Sequence, residues 1–427
     1  MTVCSTAFEA LGRAQASALG CSSLPIAIVP HPFGLRARGE LPRLAEDVAA
    51  QVAKLVSIQP EAAPLHNTSF SERAADRAKT IIAPDDIEAL HHFFIERRLS
   101  DGLPVIPPTS ARVARMLEHT QRSRYDLVGT VAPAFGAATV ERIAINAVLA
   151  GCAPATLDVL IAAVEAVTAP EFNLQGIQAT TNPAAVWLVL NGPVAEQLGV
   201  NSGPNCLGQG ASANATLGRA LRLVLQNIGG AYPGEMDRAT HGQPGKFSMC
   251  CAENEGASPW EPVHVERGFE RGASTATVVG FAGTLNMNSH TKNADELVRA
   301  IADTMAYAPS NDYWIGGEPW IVLSPEHAAI LAQAGLSKGE VKRRLWQQSR
   351  MAASRMTDTD YERTRRTRRA ELGDISRDTL LPIATDAGRI GIIVAGGPGT
   401  HSVYIPGFGN SRSVTRRIGG SGLNAPE

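Results

Sequence analysis

The chain has 427 residues, of which 44% are hydrophobic and 19% are charged, and its formal net charge is -2. A chain of this size and composition can bury a large core and corresponds to roughly two or three domains, which excludes a disordered protein. The near-neutral charge argues against a nucleic-acid surface, which depends on a broad positive field. We therefore expect a globular protein that binds a small molecule and no nucleic acid.

Membrane and metal signals are also lacking in the sequence. No apolar run reaches the roughly 18 residues of a membrane-spanning helix, and the first residues lack the basic and apolar segments of a secretory signal. The six cysteines are scattered, as in reduced proteins, and none has the CxxC spacing of a structural zinc site. We expect a cytoplasmic protein with no membrane contact and no metal ligands.

The first 60 residues alternate between strand and helix patterns. They predict strands at 1–5 and 24–29 and helices at 8–19 and 41–56. The run LPIAIV is typical of a buried parallel strand. Because two parallel strands cannot stand alone, this segment must pack on the rest of the chain or on another subunit.

This segment resembles a known family. TVCSTAFEALGRAQASALG followed by LPIAIVPHPFG, with Cys4, Phe8, Ala14 and the VPHP turn, resembles the C-terminal half of the UGSC-type domain. That family is named for a UGSC or CGSC motif containing selenocysteine or cysteine. The motif is absent from this chain, so the resemblance implies a partial UGSC-like segment at residues 1–60 and transfers no catalytic role.

Residues 86–420 resemble the larger protein that accompanies or is fused to UGSC-type domains. The matching pieces are DGLPVIPPT, IAINAVLAGC, ANATLGRALRLVLQNIGG, ATHGQPGK, AENEGASPWEPVHVERGF and AGGPGTHS. The resemblance implies a link to thiol metabolism and a UGSC-type protein as a partner.

The rest of the chain has an α/β pattern of mixed or parallel sheets flanked by helices. A linker at 61–84 leads to a main domain at 85–420, and 421–427 form a tail. Within the main domain, helices are predicted at 87–98, 139–149, 157–167, 215–228 and 338–351, and strands at 186–190, 275–281, 390–394 and 403–405.

One segment of this domain is similar in sequence to a later segment. VWLVLNGPVAEQLGV at 186–200 is similar to PWIVLSPEHAAILAQAGL at 319–336, and each follows a predicted helix. We interpret this as a duplicated helix-strand-helix unit, with halves at about 139–235 and 275–350 and a closing segment at 388–410. Ligands commonly bind where such halves meet, because strand C-termini and helix N-termini converge there.

Cys250 is the predicted catalytic thiol. It follows HGQPGKFSM and precedes AENE, so His241, Lys246 and Glu253 are near in sequence. A neighbouring Lys or protonated His lowers the pKa of a thiol and produces the reactive thiolate. We assign His241 as a base and Glu253 as a further catalytic group. The alternative is a buried inert thiol.

Three histidines lie in similar polar loops. His241, His290 and His401 are each surrounded by Gly, Ser, Thr or Asn. They could serve as acid-base groups, with His401 catalytic, or as metal ligands together with Glu253 or Glu255. The remaining alternative is that they are surface histidines.

Amides and one arginine supply the predicted ligand contacts. Arg219 lies near the start of a predicted helix, where it could form a two-pronged contact with a carboxylate. Alternatively Asn214 caps that helix and Arg219 pairs with Glu235 or Asp237. No GxGxxG fingerprint or P-loop occurs, so the cofactor stays unknown. The predicted binding residues are Asn191, Asn201, Asn214, Arg219, Lys246 and His290.

These signals predict an enzyme that acts on a small polar or carboxylate-bearing metabolite by cysteine-thiol chemistry, as an oxidoreductase or a carbon-heteroatom lyase. One alternative is a metal-assisted lyase or hydrolase that uses the loop histidines. Another is a non-catalytic partner of a separate UGSC-type redox protein. We expect a homo-oligomer or a complex with such a protein.

Overall fold

The computed structural model describes residues 1–33, 36–57, 78–308 and 310–419. It confirms an α/β protein in which mixed and parallel sheets are flanked by helices. Most of the predicted linker at 61–84 and the whole predicted tail at 421–427 lie outside the described residues. Within the described ranges, no helix is both long and apolar enough to cross a bilayer.

The helices and strands have the following bounds. The helices are α1 (Glu9–Ala18), α2 (Leu41–Val56), α3 (Ile87–Glu96), α4 (Ser110–Leu117), α5 (Val140–Ala150), α6 (Leu157–Val167), α7 (Leu174–Ala179), α8 (Pro193–Gln197), α9 (Ser212–Asn227), α10 (Val263–Glu266), α11 (Ala294–Met305), α12 (Asn311–Ile315), α13 (Pro325–Gln333), α14 (Lys338–Gln348), α15 (Asp358–Thr367) and α16 (Arg369–Leu372). The strands are β1 (Thr2–Ser5), β2 (Ile26–Val29), β3 (Leu127–Val131), β4 (Gly136–Thr139), β5 (Ala185–Asn191), β6 (Cys250–Ala252), β7 (Thr275–Phe281), β8 (Leu285–Asn288), β9 (Trp320–Leu323), β10 (Met351–Ala352), β11 (Leu380–Leu381), β12 (Gly391–Val394), β13 (His401–Ile405) and β14 (Val414–Arg417).

The N-terminal segment forms the predicted small parallel sheet. Strands β1 and β2 pair in parallel, and the amphipathic helix α2 begins and ends at the predicted residues. The sheet is too small to be stable alone. Gln15 Nε2 donates a hydrogen bond of 3.2 Å to the Pro133 carbonyl, which ties this segment to the main part of the chain.

Two four-stranded sheets form the main part of the molecule, and they share one pattern of parallel and antiparallel pairs. The first runs β14-β7-β5-β6 and the second β8-β13-β9-β12. In each, the last two strands are parallel and the other pairs are antiparallel. Strand β8 follows β7 of the first sheet in the chain but belongs to the second sheet. Strand β14 follows β13 of the second sheet but belongs to the first. The internal duplication stays a prediction.

The two sheets pack face to face through a shared core. Trp187 and Val189 of β5 lie in the same buried cluster as Trp320 and Val322 of β9. The two indole rings meet edge to face at 5.7 Å, a geometry that adds about 0.5–1.5 kcal/mol to the burial of their area. Alternate residues of each strand point outward, because side chains alternate along a strand.

The outer faces of the sheets are covered by helices. Leu188 and Leu190 of β5 pack with residues of α5, α6 and α9. Ile321 and Leu323 of β9 pack with residues of α11, α13 and α14. The main part is therefore layered as helices, sheet, sheet and helices.

A buried carboxyl ties α12 to β13 in the second half. Asp312 is fully buried, and its Oδ2 accepts hydrogen bonds from the Tyr404 hydroxyl at 2.7 Å and from the Gly407 N–H at 3.2 Å. Its Oδ1 has no partner among the residues described. Burial raises the pKa of Asp312 to about 7, although these hydrogen bonds oppose the shift.

The Asp312 carboxyl makes the stability of the fold depend on pH. Its pKa rises from 3.8 to about 7 on folding, so the native state binds more protons than the unfolded state between these values. Stability is therefore highest, with respect to this group, below pH 3.8 and falls as pH rises through 7, by on the order of 4 kcal/mol. We expect Asp312→Asn to remove this slope and to stabilise the protein above pH 7.

Urea unfolding of the wild type and of Asp312→Asn from pH 4 to pH 8 measures the effect. Asp303→Asn, on the exposed side of α11, is the matched control and should keep the wild-type slope. Parallel plots of unfolding free energy against pH for the wild type and Asp312→Asn would contradict the raised pKa of Asp312.

Candidate active site

Loops from both sheets meet at the C-terminal ends of β6 and β12. The Asn254 N–H donates to the Val394 carbonyl at 2.7 Å, and the Gly396 N–H donates to the Ser202 carbonyl at 2.8 Å. The loop at 201–206 is thus held between the two sheets. The carboxyl ends of parallel strands are where open α/β sheets bind ligands.

A polar cluster forms at this end of β5 and β6. Asn191 ends β5 and Glu253 follows β6, and the parallel register places them side by side. Asn191 Nδ2 donates to Glu253 Oε2 at 2.7 Å and to Glu255 Oε1 at 3.0 Å. The Val263 N–H also donates to Glu253 Oε2, at 2.8 Å. We call the group of Asn191, Glu253, Glu255, His264 and Lys338 the carboxylate cluster.

Three buried polar atoms of the carboxylate cluster have no hydrogen-bond partner in the described part of the chain. They are Asn191 Oδ1, Glu253 Oε1 and His264 Nδ1. The nearest charged groups are too distant for a hydrogen bond: Lys338 Nζ lies 3.9 Å from Glu253 Oε1, and Glu255 Oε1 lies 3.8 Å from His264 Nδ1. An unpaired buried polar group costs about 1–3 kcal/mol unless a water or a ligand completes its hydrogen bonds, so three in one cluster mark a candidate binding site.

Burial changes the acidity of Glu253. The Glu253 residue is 4% exposed, and this burial raises the pKa of its carboxyl, against the opposing effects of Lys338, the Val263 N–H and Asn191. A buried carboxyl with a raised pKa is a candidate for proton transfer. Glu253 was among the predicted catalytic residues, and the structure places it beside the predicted binding residue Asn191.

A pair of thiols lies beside the same loops. Cys251 points into the core between the sheets, and Cys206 comes from the loop at 201–206. Both side chains belong to the buried cluster between the two sheets. The Cys251 thiol lowers the pKa of Cys206 despite its burial, and backbone N–H groups of Cys206, Leu207 and Gly396 act in the same direction. Sequence reasoning missed this pair, because nothing local indicates that residues 45 positions apart lie in one buried cluster.

Asn214 holds the Cys206 loop onto β6. Its Nδ2 donates to the carbonyls of Asn201 at 2.9 Å, Cys206 at 3.1 Å and Cys250 at 3.1 Å, and its Oδ1 accepts from the Asn201 N–H at 2.7 Å. Asn214 lies inside α9, so the alternative that it caps this helix is wrong. Asn201 in turn folds its own loop, since its Oδ1 accepts from the Gly203 N–H. Both amides therefore shape the loop.

Cys250 faces away from the thiol pair. It lies in the helix-side core, and burial raises the pKa of its thiol. A nucleophilic cysteine needs the opposite shift. His241 is exposed, and no hydrogen bond joins it to Cys250 within the described ranges. The role of Cys250 stays a prediction that this burial does not support.

Arg219 forms a salt bridge with Asp101. Its Nε and Nη2 donate to both carboxylate oxygens of Asp101, at 2.8 and 2.7 Å, and Nη2 also reaches the Leu103 carbonyl at 3.1 Å. The alternative partners Glu235 and Asp237 bind other cations, so that interpretation is wrong in its choice of acid. The two-pronged contact fastens the DGLP segment onto α9.

Lys246 lines a cleft between α9 and β5 together with Arg222 and Gln178. Its Nζ lies 2.6 Å from Asp237 Oδ2, and burial lowers the pKa of the lysine. Arg222 is more deeply buried and also approaches Asp237, at 3.5 Å. The aspartate therefore neutralises much of the positive charge in this cleft.

His290 and His401 both lie near the paired ends of β8 and β13. His401 lies opposite Asn288, and His290 Nδ1 is 3.3 Å from Thr400 Oγ1. Both histidines are exposed. Among the described residues, no group of three or more His, Cys, Asp and Glu side chains is placed to hold a metal ion.

The fold and these loops define an α/β protein with a candidate acid-base site. Residues 1–58 match the UGSC family, as the resemblance at the N-terminus predicted. The match spans β1, α1, β2 and α2 and describes this segment of the chain. No curated protein matches the sequence.

Asn214 offers a direct test of the loop anchor. Replacing it with Ala leaves buried backbone groups of three residues without their partner, so we expect Asn214→Ala to lower the free energy of unfolding by about 3 kcal/mol. Asn286→Ala is the matched control, because Asn286 is exposed and its side chain hydrogen-bonds exposed His401, and it should change stability by less than about 0.5 kcal/mol. Denaturant titration compares the two variants, and equal small losses would show that Asn214 anchors nothing.

Proposed function

We propose that the chain is an enzyme that acts on a small polar metabolite carrying hydroxyl or amino groups, and that Glu253 transfers the proton. The observation that carries the proposal is the set of three buried, unpaired polar atoms on Asn191, Glu253 and His264. A buried network with unmet hydrogen bonds costs stability, and proteins retain that cost where a ligand completes the network.

The unpaired atoms indicate the chemistry of the metabolite. His264 Nε2 lies 3.2 Å from the Arg271 carbonyl, which can only accept, so in the neutral ring Nε2 carries the hydrogen and Nδ1 is an acceptor. Asn191 Oδ1 is an acceptor as well, and so is Glu253 Oε1 when ionised. Three acceptors together favour a ligand that donates hydrogen bonds through hydroxyl or amino groups.

The two oxygens of Glu253 have different tasks in this proposal. Oε2 is held by Asn191 and by the Val263 N–H, which fixes the plane of the carboxyl. Oε1 is the free atom and exchanges the proton with the substrate. Lys338, 3.9 Å from Oε1, can stabilise negative charge on Glu253 or on a carboxylate of the metabolite.

The predicted thiol mechanism at Cys250 is not part of this proposal, because that sulfur faces the helix-side core and its pKa is raised. The metal-assisted alternative needs ligands that converge, and among the described residues no three His, Cys, Asp or Glu side chains do so. The third alternative, a non-catalytic partner of a UGSC-type protein, predicts no turnover in any assay of the isolated chain.

Glu253→Gln tests the proposal. The full-length protein is incubated in D₂O with a panel of hydroxy acids and amino acids, and ¹H NMR follows the exchange of carbon-bound hydrogens. We expect exchange in at least one member with the wild type and a loss of at least about 100-fold with Glu253→Gln, because a positioned general base contributes about 10²–10⁴-fold.

The matched control is Glu362→Gln, which removes a carboxylate from the exposed face of α15 and should leave the rate unchanged. Glu253→Gln should unfold at the same or a higher temperature than the wild type, because it removes a buried charge. Wild-type exchange rates in Glu253→Gln, or no exchange in any panel member with the wild type, would contradict the proposed function.

A further inference from the structure

We propose that the cleft between α9 and β5 binds the carboxylate group of a small molecule. The cleft is lined by Gln178, Arg222 and Lys246 and by Ala185 at the start of β5. Asn191 of the carboxylate cluster ends the same strand, which at the usual rise per residue places it about 20 Å away. The cleft is therefore a second site, and the inference does not use the acid-base proposal.

Two buried cations share one acid in this cleft. The side chain of Arg222 is 11% exposed and that of Lys246 is 15% exposed. Both reach Oδ2 of Asp237, Lys246 Nζ at 2.6 Å and Arg222 Nη2 at 3.5 Å. Two positive charges and one negative charge leave one positive charge in excess. A buried excess charge is costly unless a counterion completes it.

The neighbouring acids do not remove this excess, because each binds a cation of its own. Asp101 forms its two-pronged contact with Arg219. Glu235 lies 2.7 Å from Arg98. These pairs are neutral as units, so the charge of the cleft is set by Arg222, Lys246 and Asp237.

The guanidinium of Arg222 is held in place before any ligand arrives. Its Nη1 donates to Gln178 Oε1 at 3.2 Å, and its Nη2 donates to the Ala231 carbonyl at 2.9 Å. Gln178 is itself buried, and its Nε2 donates to the Leu225 carbonyl at 3.4 Å. A guanidinium fixed in this way loses little freedom on binding, and its planar donors match a carboxylate.

A further donor at the wall of the cleft has no partner. Gln243 Nε2 is buried and makes no hydrogen bond within the described part of the chain. The Oε1 atom of the same amide accepts from the N–H of Gly245, which lines the cleft, at 3.1 Å. A lysine, an arginine and a free amide N–H are all donors, so the ligand must accept hydrogen bonds.

Charge and space select a small carboxylate among the possible acceptors. One excess positive charge matches one negative charge, whereas a phosphate group carries about −1.5 to −2 at neutral pH. The cleft is narrow, with about 280 Å³ of space between its atoms when its opening to solvent is included. That is at the lower limit of small-molecule pockets, so it admits a carboxylate on a short chain.

The experiment uses the folded, full-length protein and sodium acetate as the probe. Saturation-transfer NMR of the acetate methyl signal, at a constant ionic strength set with sodium chloride, gives the dissociation constant. We expect saturable binding by the wild type with a dissociation constant in the millimolar range, as a ligand of this size allows. Equimolar inorganic phosphate should not displace the acetate.

Variants of the cleft should change this binding in opposite directions. Lys246→Met should weaken it at least about tenfold, because it removes a charged donor. Asp237→Asn should tighten it, because it raises the excess charge to two. Lys54→Met, at an exposed lysine of α2, is the matched control and should bind as the wild type does. Glu253→Gln should also bind acetate unchanged, which separates this site from the carboxylate cluster.

A further measurement needs only the wild type. N-hydroxysuccinimidyl acetate modifies free lysine amines, and mass spectrometry after digestion gives the rate at each lysine. Acetate should slow the modification of Lys246 in proportion to the fraction of sites occupied and leave the rate at Lys54 unchanged.

Five results would overturn the inference. They are no saturable acetate binding or no protection of Lys246 in the wild type, wild-type affinity in Lys246→Met, no tightening in Asp237→Asn, displacement of acetate by equimolar phosphate, and loss of acetate binding in Glu253→Gln.

Discussion

The packing of the two sheets against each other is the constraint on which the other features depend. Trp187 and Trp320, both fully buried, meet edge to face at the centre of that interface. With the sheets held in this way, the C-terminal ends of β6 and β12 are joined by the hydrogen bond from Asn254 to Val394. The loop that carries Cys206 is held between them, and the carboxylate cluster lies at the neighbouring end of β5.

Two buried asparagines near the ends of β5 and β6 differ in how completely their amides are hydrogen-bonded. Asn214 uses its amide fully on backbone groups, which is how a buried polar side chain acts when it only supports a fold. Asn191 binds two carboxylates through Nδ2 but leaves Oδ1 unpaired. The difference lies in what each amide leaves unsatisfied, and it is the physical basis for the proposed active site beside Asn191.

Local patterns predicted the elements well, because helix and strand periodicity are properties of short segments. Helix α2 and strand β7 have their predicted bounds. The candidate site was only partly predictable. Asn191 and Glu253 were both named, but their contact follows from the pairing of β5 with β6 across about 60 residues of chain. The choice of Cys250 over Cys251 shows the same limit, since alternation places the two on opposite faces without indicating which face meets the other sheet.

Native-state hydrogen exchange of the amides of Asn254 and Gly396 tests most directly whether the two sheets and their loops form one unit. Both amides donate across the junction, to Val394 and Ser202. If the sheets are locked together, both should exchange only with global unfolding, within about 1 kcal/mol of central-strand amides such as those of Leu188 and Val322. Exchange through a low-energy local opening, while the central strands stay protected, would show that the junction is loose and would contradict this account.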